Sequence, residues 1–527
     1  MQALHRRHVV RRRTLERHAA VGRLRNTGTS IKEIHMQGKI KLLTLPFLVA
    51  ALAAATTTAA FNDKPAVRAS ADTASAKAGG LLQGRLNVRY GDGRPGPGRT
   101  SKTVVRLIED NGRIHLIDAA SAKRAAGDLH LLANRRVAVS VAAIAQGKAA
   151  DSAPLLTAEA IVPIDDLDAD AAQGRAGDVS IAAVTGTKAW VTVMCRFKDN
   201  TSTPRPLSYF VDMYANTSGR LDHYWRNMSY GKINLTGSTA SGWYTLPQNR
   251  AYYFPSTGEP RWDELRNNCL GAANPNVNYA NFFGINMIFN GDMDGYAYGG
   301  TETLTYDGVT KNWGLTWNPP WAYRSNVVND YEGINTLAHE MGHAFGMPHS
   351  DNMDGDGDTY DNAWDIMSGG YDEVFYDATY GRLPQNPIVY QRDLMGWFDA
   401  ARVRNHTRLN ATTTYTMDRA SLQGSANVQM VKLIVPNSTT YYTIEVRKTA
   451  GPIYDSRLPG DSVIIHRVTD RARIVDARVP PHDYSNQETN MFKVGESYTT
   501  PEATGSRYRV EVLTATTAGF TVRVTNL

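Results

Sequence analysis

Three histidines lie in the run LAHEMGHAFGMPHS, at positions 339, 343 and 349. His339 and His343 are four residues apart, so on a helix their imidazoles face the same way, one turn from each other. The apolar stripe Ile334, Leu337, Ala338, Met341 and Phe345 favours that helix, with Asn329 or Asp330 as its cap. Glu340 follows the first histidine, close enough to hold a metal-activated water without being a ligand. Gly346 can take the left-handed conformation that ends a helix, and Pro348 discourages its continuation. The resulting turn returns His349 as a third ligand. Three neutral imidazoles leave one tetrahedral position open, the arrangement of a hydrolytic Zn²⁺ site with Glu340 as general base.

Other residues suggest further chemistry. Asp354, Asp356 and Asp358 alternate with glycines, a pattern that can wrap oxygen ligands around Ca²⁺. The pair Asp292 and Asp294 is a weaker candidate of the same kind. Residues 299–306, GGTETLTY, precede the histidine helix and read as an edge strand to which an extended peptide could pair.

The elements that must position these groups imply a multidomain chain. Residues 1–60 read as an upstream extension plus a signal peptide. Within them, MQGKIKLLTLPFLVAALAAATTTAA has a short basic start, an apolar run and small residues suited to cleavage. Residues 61–184 carry five strand-like runs, with Asn111-Gly112 as a hairpin signal, and suit a small all-β, OB-like barrel and a candidate propeptide. The Gly/Pro-rich GDGRPGPG from position 91 reads as a loop, and the acidic, small-residue stretch 165–177 as a linker. Residues 185–400 alternate strand-like and helix-like stretches and read as an α/β (α+β) domain. Residues 401–527 have a period of two and read as an all-β sandwich.

Composition removes several alternatives. The chain has 527 residues and a formal charge of +6, but residues 1–60 carry +9, leaving −3 on the rest. A basic nucleic-acid-binding surface is therefore not expected. Two cysteines exclude a disulfide scaffold or a Cys-type zinc finger, and leave Cys195 and Cys269 open to pairing or to burial as free thiols. No segment after the leader is apolar for long enough to span a bilayer, so no stable membrane insertion is expected once the leader is removed. The destination is secreted or periplasmic.

The HExxHxxGxxH spacing, followed eighteen residues after His349 by Asp365-Ile366-Met367-Ser368-Gly369, resembles the metzincin metallopeptidases and their Met-turn. WVTVMCRFKDN, HYWRNMSYGKINLTG, DIMSGG, QRDLMGWF and YYTIEVRK…LPGDSVIIHRV are similar to the secreted gametolysin and immune inhibitor A group. His349, where immune inhibitor A proteins usually carry an acidic ligand, favours the gametolysin side. The resemblance implies a secreted zinc endopeptidase acting on protein or peptide, with Met367 as a floor beneath the zinc histidines and residues 299–306 as the substrate strand. Two other functions are a zinc hydrolase of a non-protein substrate and a secreted binding or adhesion protein retaining a metal. The second would lack Glu340 or have a fourth protein ligand. No cysteine lies between Phe61 and Met194, so a thiolate cannot hold a zymogen latent; a carboxylate among Asp165, Asp166, Asp168 and Asp170 could do so instead.

Overall fold

The computed structural model describes residues 80–95, 98–142, 155–164, 183–323, 334–369, 376–377, 379–451, 453–475 and 487–527. The leader, the acidic linker and the expected caps Asn329 and Asp330 lie outside them. Residues Ala74–Leu527 form one compact unit. The chain is multidomain in organisation and mainly β, with several sheets and few helices, as the pattern of short alternating runs implies.

The N-terminal strands are β1 (Gly80–Gly93), β2 (Ser101–Ile108), β3 (Ile114–Ile117), β4 (Arg136–Val141) and β5 (Ala158–Pro163), with helix α1 (Ala119–Ala126) between β3 and β4. Their order is β3-β2-β1-β4-β5, and a parallel bridge from Ile117 to Leu156 closes the end of β3 onto the segment before β5. Alternate residues Leu86, Val88, Val105, Leu107, Val137 and Val139 turn inward to make its core.

The central region is a five-stranded sheet of β6 (Trp190–Arg196), β7 (Thr239–Thr245), β8 (Gly284–Phe289), β9 (Tyr296–Tyr306) and β10 (Val309–Asn318), in the order β9-β10-β8-β6-β7. All neighbours are parallel except β9, which runs antiparallel to β10. The fully buried runs of β6 and β8 reflect cover on both faces. On one face lie α2 (Leu221–Met228) and α4 (Asn335–Phe345), packed through Trp190, Trp225, Phe345 and Met341. On the other lies α3 (Trp262–Ala273), tied to β6 by the disulfide Cys195–Cys269. This decides the open question of the two cysteines in favour of pairing.

The expected edge strand is covered at its start, at Gly299 and Gly300, while residues 301–306 have no strand partner on that side among the described residues. β9 pairs along its free side with β1, antiparallel, in the register Arg89 to Gly300 through Gly93 to Tyr296. The N-terminal strands and the central sheet thereby merge into one ten-stranded sheet. Residues 403–526 form two stacked sheets around Tyr415, Leu433, Ile444, Ile465, Val510 and Val522.

Candidate metal centre

All eleven residues of α4 are buried, which suits a helix made mostly of Leu, Ala, Met, Gly and Phe. Its N-cap position is Ile334, whose side chain makes no capping bond, rather than Asn329 or Asp330. Its end follows the sequence expectation: Gly346 has φ 107°, and Gly346 and Met347 both donate backbone bonds to the Gly342 carbonyl. Two close approaches fix the helix. A Cβ on Gly299 of β9 would strike the Glu340 carbonyl, and one on Gly342 would strike the Met367 sulfur. Met367 is fully buried against the histidine helix.

The structure brings His339, His343 and His349 together. His343 Nε2 lies 3.1 Å from His339 Nε2 and 3.2 Å from His349 Nε2. His339 Nδ1 bonds the Ile366 carbonyl at 2.7 Å, and His343 Nδ1 bonds that of Met347 at 2.8 Å. A carbonyl only accepts, so both Nδ1 atoms carry the proton and both Nε2 lone pairs face inward. Burial pushes His349 down to about 3 and lowers His343, which keeps both neutral. Neutral lone pairs converging at this distance have no hydrogen to share; they fit a cation.

A fourth member of the cluster, Asp92, comes from the end of β1. Its Oδ1 is 2.8 Å from His349 Nε2 and 3.1 Å from His339 Nε2, and its Oδ2 is 3.3 Å from His343 Nε2. The four side chains form a buried group able to hold a metal. The distances among these atoms, 2.8–3.3 Å, are short enough for one cation to touch all four residues. Tyr360 donates its hydroxyl to Asp92 Oδ1 at 2.6 Å, and Tyr90 stacks on His343 with centroids 4.4 Å apart.

The carboxylate at the site is thus Asp92; Asp165, Asp166, Asp168 and Asp170 lie outside the described residues. The sequence reading treated GDGRPGPG as a loop, whereas Gly91–Gly93 continue β1. The available signal was the pair of glycines around Asp92. A Cβ on Gly91 would enter the Tyr298 ring and one on Gly93 would press on the Thr100 carbonyl, so a single carboxylate sits where the backbone has no room for neighbouring side chains.

Glu340 is fully buried, and neither carboxylate oxygen has a hydrogen-bond partner among the described residues. Burial, reinforced by the negative Asp92, raises its pKa well above the ordinary value. Asp365 accepts from Ser350 Oγ at 2.8 Å, Gln391 Nε2 at 3.2 Å and Met367 N at 3.2 Å, which pins the turn that presents the Ile366 carbonyl to His339.

The acidic loop gathers Asp354 and Asp356 with Asp361, rather than with Asp358. Asp358 Oδ1 instead accepts from Tyr360 N at 2.8 Å. Burial and the neighbouring aspartates push Asp361 up to about 8. Asp294 is already engaged by Lys102 at 3.0 Å and by the Tyr298 hydroxyl at 2.5 Å.

Set against models of protein families, curated proteins and solved structures, the chain matches none of them.

Proposed function

We propose that this chain is a secreted zinc-dependent endopeptidase of metzincin type, with an OB-like N-terminal propeptide that holds it latent through Asp92. The observation that carries the reading is the convergence of three imidazole Nε2 atoms in one buried cluster with Asp92, with Glu340 buried on the same helix and without a hydrogen-bond partner among the described residues. Asp92 meets the condition of a fourth protein ligand that marks a retained structural metal; the presence of Glu340, and the seat of Asp92 on a separate N-terminal strand that a cut could release, favour the catalytic reading.

Zinc bound there supplies Lewis acidity, lowering the pKa of water toward about 7 and polarising a carbonyl. The rest is the work of side chains. His339 and His343 are held in one tautomer by the carbonyls of Ile366 and Met347. Glu340 takes a proton from the attacking water and returns it to the leaving amine; its buried site lacks competing donors. The water's oxygen adds to the carbonyl carbon, the C–N bond breaks, and no covalent enzyme intermediate is required.

Latency follows from what β1 occupies. Asp92 fills the fourth position of the ligand group, Tyr90 covers His343, and Arg89–Gly93 use the hydrogen-bonding edge of β9. Activation would then require cutting within 165–180 and release of β1. Calcium held by Asp354, Asp356 and Asp361 is the reading of the acidic loop. The experiment is a casein or gelatin digest by the intact and the clipped chain, before and after chelation and with zinc restored. Activity that appears on clipping, vanishes on chelation and returns with zinc supports the reading; clipped, zinc-replete protein that leaves every protein and peptide intact sinks it.

A further inference from the structure

On β1, Tyr90 and Asp92 point to the α4 face, so Arg89 points to the opposite face, beneath α3. There its guanidinium carbon lies 4.0 Å from the Trp317 ring centroid and 5.6 Å from that of Trp262, and Nη2 is 3.7 Å from Glu302. Arg106 of β2 reaches the same place, 2.9 Å from Asp263 and 3.0 Å from Glu302. The central region itself supplies one cation to this notch, Arg266, 2.9 Å from each of the two carboxylates.

The two arginines of β1 and β2 belong to the segment that would leave on activation. Without them, Arg266 is the one cation among the described residues paired with Glu302 and Asp263, and the notch carries a net negative charge over an indole floor. We propose that this notch is a substrate subsite selecting arginine or lysine at the position three residues before the one that replaces Asp92. The inference rests on the peptidase reading, and on a substrate pairing with β9 in the register of β1. In that register the residue opposite Gly300 points into the notch, as Arg89 does. A guanidinium there gains a stacked indole and a charged acceptor at once. Arginine exceeds lysine because its flat group matches the ring and the carboxylate together.

The test uses the full chain clipped within 165–180 and a series of quenched peptides differing at one residue: arginine, lysine, citrulline or alanine. A labelled peptide copying residues 85–93, and its citrulline analogue, are also titrated for binding. Arginine should exceed alanine in kcat/KM by roughly tenfold or more, chiefly through KM, and citrulline should lose most of that gain despite its equal shape. Moving the arginine one residue along should abolish the preference, because a one-residue slip turns the side chain to the other face. Equal rates for arginine and citrulline with ready cleavage would overturn the subsite and leave the peptidase standing. No cleavage of any peptide would count against the peptidase; the binding arm still decides the subsite, and equal affinity of the two labelled peptides overturns it.

Discussion

Replacing Asp92 with alanine in the intact chain separates the two ways in which β1 can block the site. The carboxylate has one hydrogen bond from Tyr360 at 2.6 Å and lies within 2.8–3.3 Å of three Nε2 atoms. A hydrogen bond to a charged group contributes about 1.5–3 kcal/mol. That bond alone shifts the balance between covered and uncovered site by about 10- to 150-fold, and loss of the metal contact adds to it. The pairing of Arg89–Gly93 with β9 and the stacking of Tyr90 on His343 remain. Uncut Asp92→Ala protein should therefore bind a small hydroxamate at least about tenfold more tightly than uncut wild type, yet cleave long peptides slowly until clipped. The assay is inhibitor titration at one zinc per chain, read beside hydrolysis of a short and a long quenched peptide. Equal hydroxamate affinity in wild type and variant would mean that Asp92 does not hold the fourth position, and the argument for a carboxylate latch would be refuted.

Glu340→Gln should retain zinc near one per chain and lose about 10²–10⁴-fold in turnover, measured by metal analysis beside peptide kinetics. His349→Ala should instead lose zinc on dialysis, because it removes a ligand; tight retention with full rate would place the third ligand elsewhere. Calcium should raise the melting temperature in proportion to the logarithm of its concentration, and Asp356→Asn should blunt the rise. Burial pushes Glu445 up from 4.5 to about 7, against the pull of Arg447 and Arg392. A carboxyl raised on folding stabilises fully below its unfolded pKa, and that stability is lost as pH rises through the folded value. The melting temperature should thus fall between pH 4.5 and 7, by a few kcal/mol of stability at most, and Glu445→Gln should flatten the slope.

The histidine helix was legible in the sequence because its signals are local: a one-turn spacing, an apolar stripe and a glycine at the left-handed end, all within 334–349. The strand periods of the N- and C-terminal regions were equally local; the five N-terminal runs correspond to β1–β5, while in the C-terminal region short strands such as Val403–His406 and Ser497–Thr499 left no readable alternation. What could not be read is what depends on distance. Asp92 and His349 are 257 positions apart, and neither alternation nor turn chemistry reports which strand meets which. The loop reading of GDGRPGPG weighed glycine and proline as breakers, while the first two glycines are there because Tyr298 and Thr100 crowd the strand. Asp358 is not grouped with Asp354 and Asp356 in the structure; Asp361 enters from further along the loop, which the alternation of aspartate and glycine does not report.

The ladder between β1 and β9 has a consequence for solubility. β9 is an eleven-residue strand, and β1 covers the outer row of amides and carbonyls along its first five residues, Tyr296–Gly300. Once β1 departs, that row becomes an open template for any extended chain, including another copy of the same protein. A freshly activated molecule is therefore also a sticky one. If the chain is exported and activated as proposed, keeping the covering strand in the same polypeptide until then would separate the moment of folding from the moment of exposure.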